Sequence, residues 1–169
     1  MNLVLFPVLL PLLGAAVLML LRKPRVRFVV ALIIAAATLT VSGVIASIVF
    51  DGQVLVTTLA DWPAPYGISL VVDGLSATML LLSGIAGLLT VLFVDATLQA
   101  GPKRGYGSLL NRARELFGAQ ALFQFLFMGV NLSFLTGDVF NLFVAFEIMP
   151  IASYGLLLPG GELPQLRAG

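Results

Sequence analysis

The chain has 169 residues, of which 60% are hydrophobic and 10% are charged, and its mean hydropathy is +1.10. Soluble domains carry about a quarter charged residues, so this composition excludes an ordinary soluble protein and indicates an integral membrane protein. The absence of Cys and His excludes disulfides, thiolate metal sites and the commonest general base. With a net charge of +1 and no basic face outside the loops, we expect no binding of nucleic acid.

Five apolar runs are long enough to cross a bilayer as helices. Because a helix rises 1.5 Å per residue, about 20 apolar residues cross roughly 30 Å of hydrocarbon. The runs cover residues 3–21, 28–50, 74–96, 117–135 and 139–158. The first has no preceding basic residue and no small-residue cleavage pattern, so we interpret it as a retained helix. The sequence therefore predicts an all-α membrane protein with five transmembrane helices.

The positive charges predict an orientation. The nine Lys and Arg residues occur only in segments 22–27 and 103–114 and at Arg167. Because the chain alternates sides at each helix, these three segments share one side, and short cytoplasmic loops are enriched in Lys and Arg. We therefore expect a cell (inner or plasma) membrane protein with its N-terminus outside and its C-terminus in the cytoplasm.

The two longer connections have different compositions. Residues 51–73 contain two β-branched runs around a Pro-rich centre, which predicts a short extracytoplasmic hairpin or loop. Trp62 and Tyr66 in this connection suit the headgroup interface. The basic connection 97–116 is compatible with a partly interfacial helix. We interpret its charges as a topology signal, with recognition of lipid headgroups as the alternative.

Three polar residues follow one face of the fourth predicted helix. Gln120, Gln124 and Asn131 are separated by 4 and 7 residues, which places them within a narrow arc. We call these residues the polar stripe. Such a stripe faces protein or water rather than lipid. It would either bond neighbouring helices or line a hydrated proton path.

Glu147 lies near the middle of the fifth predicted helix. An acidic side chain at the bilayer centre costs on the order of 2 to 3 kcal/mol, so it must be protonated, paired or hydrated. Since desolvation favours the protonated form of a carboxyl, a group at this depth suits reversible proton transfer. We hypothesise that Glu147 carries protons. The alternative is a neutral carboxyl that only bonds another helix.

Other residues define the surroundings of Glu147. Tyr154 follows it by seven positions and therefore projects from nearly the same face. Asp138 is placed to cap the start of the fifth helix. Pro150 removes the amide that would bond the carbonyl of Phe146, which loosens the helix. Because only a short turn joins the fourth and fifth helices, we predict that the polar stripe faces the Glu147 side as a second shell or polar path.

Several segments resemble a known family. The stretch "FQFLFMGVNLSFLTGDVFNLFVAFEIMPIASYGLLL", with "VVDGLSATMLLLSGIAG" before it and "LPGGELPQLRAG" after it, is similar to the amino-terminal part of the D subunit of Mrp-type multisubunit cation/proton antiporters. That family is related to the antiporter-like subunits of respiratory complex I and of membrane-bound hydrogenases. The resemblance covers essentially the whole chain, and "FLTGDVFNLFVAFE" is its most specific part.

The resemblance implies a larger architecture and a role for one residue. Family members have about fourteen helices with inverted five-helix repeats, so this chain would be the first portion of such a subunit. The family's acidic residue on the fifth helix, which matches Glu147, takes part in proton translocation. Its lysine partner lies on the seventh helix, beyond this sequence, so we expect the isolated chain to be inactive. The family usually has an aliphatic residue in place of Pro150, so the local helix geometry should differ here.

The resemblance also suggests a division of the chain. Residues 1–116 would form an N-terminal three-helix region with the loop 51–73 and the basic loop 97–116. Residues 117–158 would start the proton-antiporter core, and residues 159–169 would form a truncated cytoplasmic tail.

Together these observations predict a proton-translocating subunit, or a piece of one, of a monovalent cation/proton antiporter. Its expected partners are other membrane subunits, the lipid bilayer, protons and Na⁺. We expect no cofactor, no metal and no catalytic residue, so the chain would be a secondary transporter subunit and not an enzyme. One alternative is a non-redox pumping subunit of an NADH-quinone oxidoreductase or membrane hydrogenase. The other is a structural membrane subunit without a transport role.

Overall fold

The computed structural model describes residues 3–59, 62, 67–100 and 106–157. Within these residues, five helices are long and apolar enough to cross a membrane, which confirms the predicted all-α class. A short 3₁₀ helix, Leu3–Leu5, precedes them. The helices are α1 (Phe6–Leu20), α2 (Pro24–Phe50), α3 (Gly74–Ala100), α4 (Tyr106–Leu135) and α5 (Val139–Leu157). The strands are β1 (Leu55–Thr58) and β2 (Ser69–Val72).

The helix bounds follow the apolar runs at most ends. The main difference is at α4, which begins at Tyr106 although its apolar run begins at 117. The residues between these points include Leu, Arg, Ala and Glu, which are good helix formers, so the helix continues beyond the apolar part. The basic connection is therefore partly helical.

Helix α4 is central to the packing. It packs extensively on α1 and on α5 and less on α3, while α2 packs on α3 and α1. Glycines permit two of these close contacts. A Cβ at Gly87 of α3 would lie 2.7 Å from the ring of Phe127, and one at Gly129 would lie 3.1 Å from Ile148 of α5. Small residues are the usual means by which membrane helices approach each other.

A β-hairpin joins α2 to α3 and contacts the turn between α4 and α5. Strands β1 and β2 pair antiparallel, with Leu55 opposite Val72. The amide of Gly137 donates to the carbonyl of Ser69 at 2.8 Å, and Leu70 forms a bridge with Thr136. The predicted connection 51–73 thus contains a hairpin, and this hairpin fixes the turn that precedes α5.

Some sequence predictions fall on residues that the structure does not describe. Tyr66, Arg167 and the tail 159–169 lie outside the described residues, as do all side chains of the basic connection 97–116. Trp62 is described and is 63% exposed. The division into regions 1–116, 117–158 and 159–169 stays a prediction.

Candidate functional site

The polar stripe lies inside the helix assembly. Gln124 and Asn131 are each 1% exposed, and Gln120 is partly buried. At Gln120 the stripe meets α2, because Arg27 Nε donates a hydrogen bond to Gln120 Oε1 at 3.3 Å. The stripe therefore faces neighbouring helices and not lipid.

Asn131 connects three helices. Its Nδ2 donates to the carbonyl of Pro7 in α1 at 2.8 Å, and the hydroxyl of Ser83 in α3 donates to its Oδ1 at 2.6 Å. The carbonyl of Pro7 is available because Pro11, four residues later, has no amide hydrogen to bond it. The four-residue proline spacing is visible in the sequence, yet its link to Asn131 was not foreseen. This geometry supports the interhelical role of Asn131.

Gln124 has a different environment. Its side-chain Oε1 and Nε2 are both buried, and neither has a hydrogen-bond partner among the described residues. The side chain lines a cavity of about 100 Å³. The other residues that line it are Ala31, Thr90, Val91, Val94, Ala119, Gln120, Phe123 and Leu156.

Glu147 lies on the outer face of α5 and is exposed. Its neighbours on this face include Phe143, Phe146, Ile151 and Tyr154, which are between 53% and 66% exposed. The opposite face of α5 is buried, with Ala145 and Ala152 at 0% exposure. Glu147 and Tyr154 thus share one face, and α4 covers the other.

The prediction that the polar stripe faces the Glu147 side is wrong. Helix α4 meets α5 through Gly129, which approaches Ile148, and through Leu122, which approaches Gly155. These two positions lie roughly 140–160° around α4 from Gln124. The reason is that α4 has helices on both sides, and its polar side chains bond α1, α2 and α3. Counting residues from the turn between α4 and α5 predicts how deep each residue lies in the membrane, but it does not predict the direction in which the side chain points.

Two aspartates lie at helix starts. Asp138 Oδ1 accepts a hydrogen bond from the amide of Asn141 at 2.6 Å, as a cap of α5 does. Asp138 Oδ2 and Asn141 Nδ2 are buried without a hydrogen-bond partner among the described residues.

Asp73 caps α3, a role that sequence reasoning missed. Its Oδ1 accepts from the amide of Ser76 at 2.8 Å. Hydrogen bonds from the Ser76 backbone and side chain lower the pKa of Asp73 below its usual value. The signal in the sequence was an Asp three residues before a Ser at the start of an apolar run.

The chain is similar to several antiporter subunits. Over 98% of its own length, the chain is 36% identical to the D subunit of the Na⁺/H⁺ antiporter of Alkalihalophilus pseudofirmus. It is also 36% identical, over the same share of its length, to the D subunit of the Na⁺/H⁺ antiporter of Bacillus subtilis. It is 42% identical to the D subunit of a probable K⁺/H⁺ antiporter of Rhizobium meliloti over 66% of its length. A scan against models of protein families gives no match.

The chain is homologous to the antiporter D subunits. This finding confirms the resemblance predicted from the sequence. The chain spans 31% of the length of the Na⁺/H⁺ antiporter relatives that it matches.

Two solved structures resemble this D-subunit homologue. The Mrp complex from Dietzia sp. DQ12-45-1b contains a chain that matches 92% of it with a TM-score of 0.74 and 32% identity, over 27% of that chain. A chain of an archaeal membrane-bound sulfane sulfur reductase matches 97% of it with a TM-score of 0.81 and 23% identity, over 31% of that chain. The second match shows a shared fold alone. The five helices thus belong to a multi-pass membrane fold found in antiporter and respiratory complexes.

Proposed function

We propose that the chain is part of the proton-translocating D subunit of a multisubunit monovalent cation/proton antiporter, with Glu147 as the proton carrier. One observation carries the proposal: among the side chains that the structure describes in the five candidate membrane spans, that of Glu147 is the only acidic one, in a homologue of the antiporter D subunits. An acidic side chain that lies within the bilayer, with no hydrogen bond to the described residues, is the type of group that proton carriers use.

The outer face of α5 requires a polar neighbour in the membrane. Glu147 is exposed there, and Pro150 leaves the carbonyl of the adjacent Phe146 without its helical donor. Unsatisfied polar groups are costly in hydrocarbon, so we infer that further helices or water cover this face in the assembled antiporter. The assembly would contain other membrane subunits and would exchange protons for Na⁺.

The proposed orientation is the one that the basic segments favour. The N-terminus would be outside the cell and the C-terminus in the cytoplasm. The β-hairpin would then lie on the outer side and the connection between α3 and α4 on the cytoplasmic side.

The proposal is tested by Glu147→Gln in the intact antiporter complex. The amide matches the size of the carboxyl but cannot bind and release a proton. We expect proton-driven cation exchange in everted vesicles to fall by about two orders of magnitude, the usual effect of removing a positioned proton-transfer group.

Asp73→Asn is the matched control, since it also removes a carboxylate but lies just outside the span Gly74–Val94. It should retain exchange. Normal exchange by an assembled complex with Glu147→Gln would contradict the proposal and favour a structural role.

The fold match to the sulfane sulfur reductase supports a second candidate, a pumping subunit of a respiratory membrane complex. Purification of the complex that contains the chain distinguishes the two. Iron and acid-labile sulfur in stoichiometric amounts would favour the respiratory assembly, and their absence would favour the antiporter.

A further inference from the structure

The cavity beside Gln124 is separate from the Glu147 face. Its lining residues come from α2, α3 and α4, together with Leu156 of α5. Gln124 reaches it from the face of α4 turned away from Glu147. The Glu147 hypothesis therefore makes no use of this cavity.

The side chain of Gln124 requires a bonding partner. A primary amide offers two donor hydrogens and an acceptor oxygen, and here both polar atoms are buried without a partner among the described residues. Buried polar groups are nearly always hydrogen-bonded to protein or to ordered water. The other polar side chains that line the cavity are those of Thr90 and Gln120. Thr90 donates its hydroxyl to the carbonyl of Ala86 at 2.8 Å, which leaves its oxygen able to accept.

We propose that this cavity is an internal water-binding site anchored by Gln124. A volume of about 100 Å³ accommodates more than one water molecule, since each occupies about 30 Å³ in the liquid. A bound water needs two to four polar partners, and the described polar side chains at the cavity that could serve are the Gln124 amide, the Thr90 hydroxyl and the Gln120 amide. The other described residues that line the cavity are apolar, so the waters would be confined to the polar side.

Other occupants fit the cavity less well. An apolar ligand or lipid chain would leave the Gln124 amide without a partner. A metal cation is usually held by several oxygen ligands that include carboxylates, and none of the described residues that line the cavity is acidic. Water is the ligand that can both donate and accept at this amide.

The position of the site suggests where water enters. Gln120 lies one turn from Gln124 on the side of the basic connection, and it accepts from Arg27 Nε at the start of α2. Gln120 is partly buried, whereas Gln124 is 1% exposed, so the polar stripe is more accessible at this end. We infer that water reaches Gln124 from this end of the assembly, past Gln120.

Thiol labelling tests the proposal. The chain contains no cysteine, so Val91→Cys, at a residue that lines the cavity and is 6% exposed, gives a single thiol and keeps the Gln124 amide, in the full chain reconstituted in lipid nanodiscs. The probe is a small cationic methanethiosulfonate, which reacts with the hydrated thiolate. The matched control is Met128→Cys, one turn from Gln124 on α4, 5% exposed and not a cavity residue.

We expect Val91→Cys to react about tenfold faster or more than Met128→Cys, because each unit by which apolar burial raises a thiol pKa lowers the thiolate fraction tenfold. Equally slow reaction of the two variants would show that the cavity is dry and would overturn the proposal. Equally fast reaction of the two variants would show that water and the reagent reach the whole helix assembly, and this would also overturn the proposal of a water site confined to the cavity.

A second measurement does not depend on the cysteine variants. Gln124→Met keeps the side-chain length and removes the amide. If water is bound, the midpoint of thermal unfolding should fall by a few degrees, because the waters lose their main partner. If the cavity is dry, the midpoint should rise, since an unpaired buried amide has been removed, and this would refute the site. Neither test depends on transport, so each can fail independently of the Glu147 hypothesis.

Discussion

At the scale of single residues, Asn131 shows how one amide can replace a missing backbone bond. Pro11 has no amide hydrogen for the carbonyl of Pro7, and Asn131 Nδ2 donates a hydrogen bond to that carbonyl instead. Asn131 Oδ1 also accepts a hydrogen bond from the Ser83 hydroxyl. Because both of its bonds leave α4, Asn131 contributes to the association of three helices. The membrane environment offers no water to replace these bonds.

We expect Asn131→Leu to lower the free energy of unfolding by about 1–2 kcal/mol, the range for interhelical hydrogen bonds in membranes. The same substitution should cost less in a Pro11→Ala background, where the new amide at position 11 can bond the carbonyl of Pro7. Unfolding in mixed detergent micelles measures both differences. Equal costs in the two backgrounds would contradict the proposed replacement. Ser83→Ala, which removes only one bond, serves as the smaller reference.

Asp73 predicts a specific response to acid. Its pKa is lowered in the folded chain by the Ser76 hydrogen bonds, so folding favours the charged form. Its stabilising contribution is therefore complete above the pKa of the unfolded chain and is lost as the pH falls below about 4. We expect Asp73→Asn to flatten the decline in thermal stability over this acid range, when melting is followed from pH 7 to pH 3. An unchanged decline would mean that Asp73 has no such effect.

At the scale of elements, the contact between the hairpin and the α4–α5 turn determines how α5 starts. The amide of Gly137 bonds Ser69, and a Cβ at Gly137 would lie 2.7 Å from Val71 Cγ2. There is no space for a larger residue unless the hairpin moves.

Gly137→Ala should therefore destabilise the chain by about 1–3 kcal/mol, as overpacking does elsewhere. Val71→Ala removes the methyl group that would clash and should recover part of this loss. The measurement is the unfolding midpoint of the single and double variants. If Val71→Ala adds its own cost without any recovery, the two residues do not contact as described.

At the scale of the whole molecule, hydropathy was sufficient to predict five helices but not their rotation. The length of each apolar run is fixed by the bilayer, so the spans were found to within a few residues at most ends. The direction in which the Gln124 side chain points was not predicted, because these helices are apolar on most sides and their sequences do not show which face is turned inward. Glu147 illustrates the same limit, since nothing in its local sequence says whether α4 covers it.

The homology to the antiporter D subunits explains part of what the sequence left open. The chain spans 31% of those relatives, so a face of α5 that is bare in this chain need not be bare in a full subunit. Buried contacts such as Asn131 with Ser83 are complete within the chain. They can be interpreted without reference to other helices, whereas the surroundings of Glu147 cannot.

The bonds of Asn131 and Gly137 also determine the vertical registry of the protein. Asn131 lies about 6 Å before the end of α4, since each helical residue rises 1.5 Å, and Gly137 follows that end by two residues. A slip of α4 by one residue would break the bonds to Pro7, Ser83 and Ser69 together. These internal hydrogen bonds therefore set the position of Glu147 along the membrane normal relative to the other helices, and the thickness of the bilayer does not. In a thinner or thicker bilayer, we expect the lipid around the protein to adjust its thickness, while Glu147 keeps its position relative to the other helices.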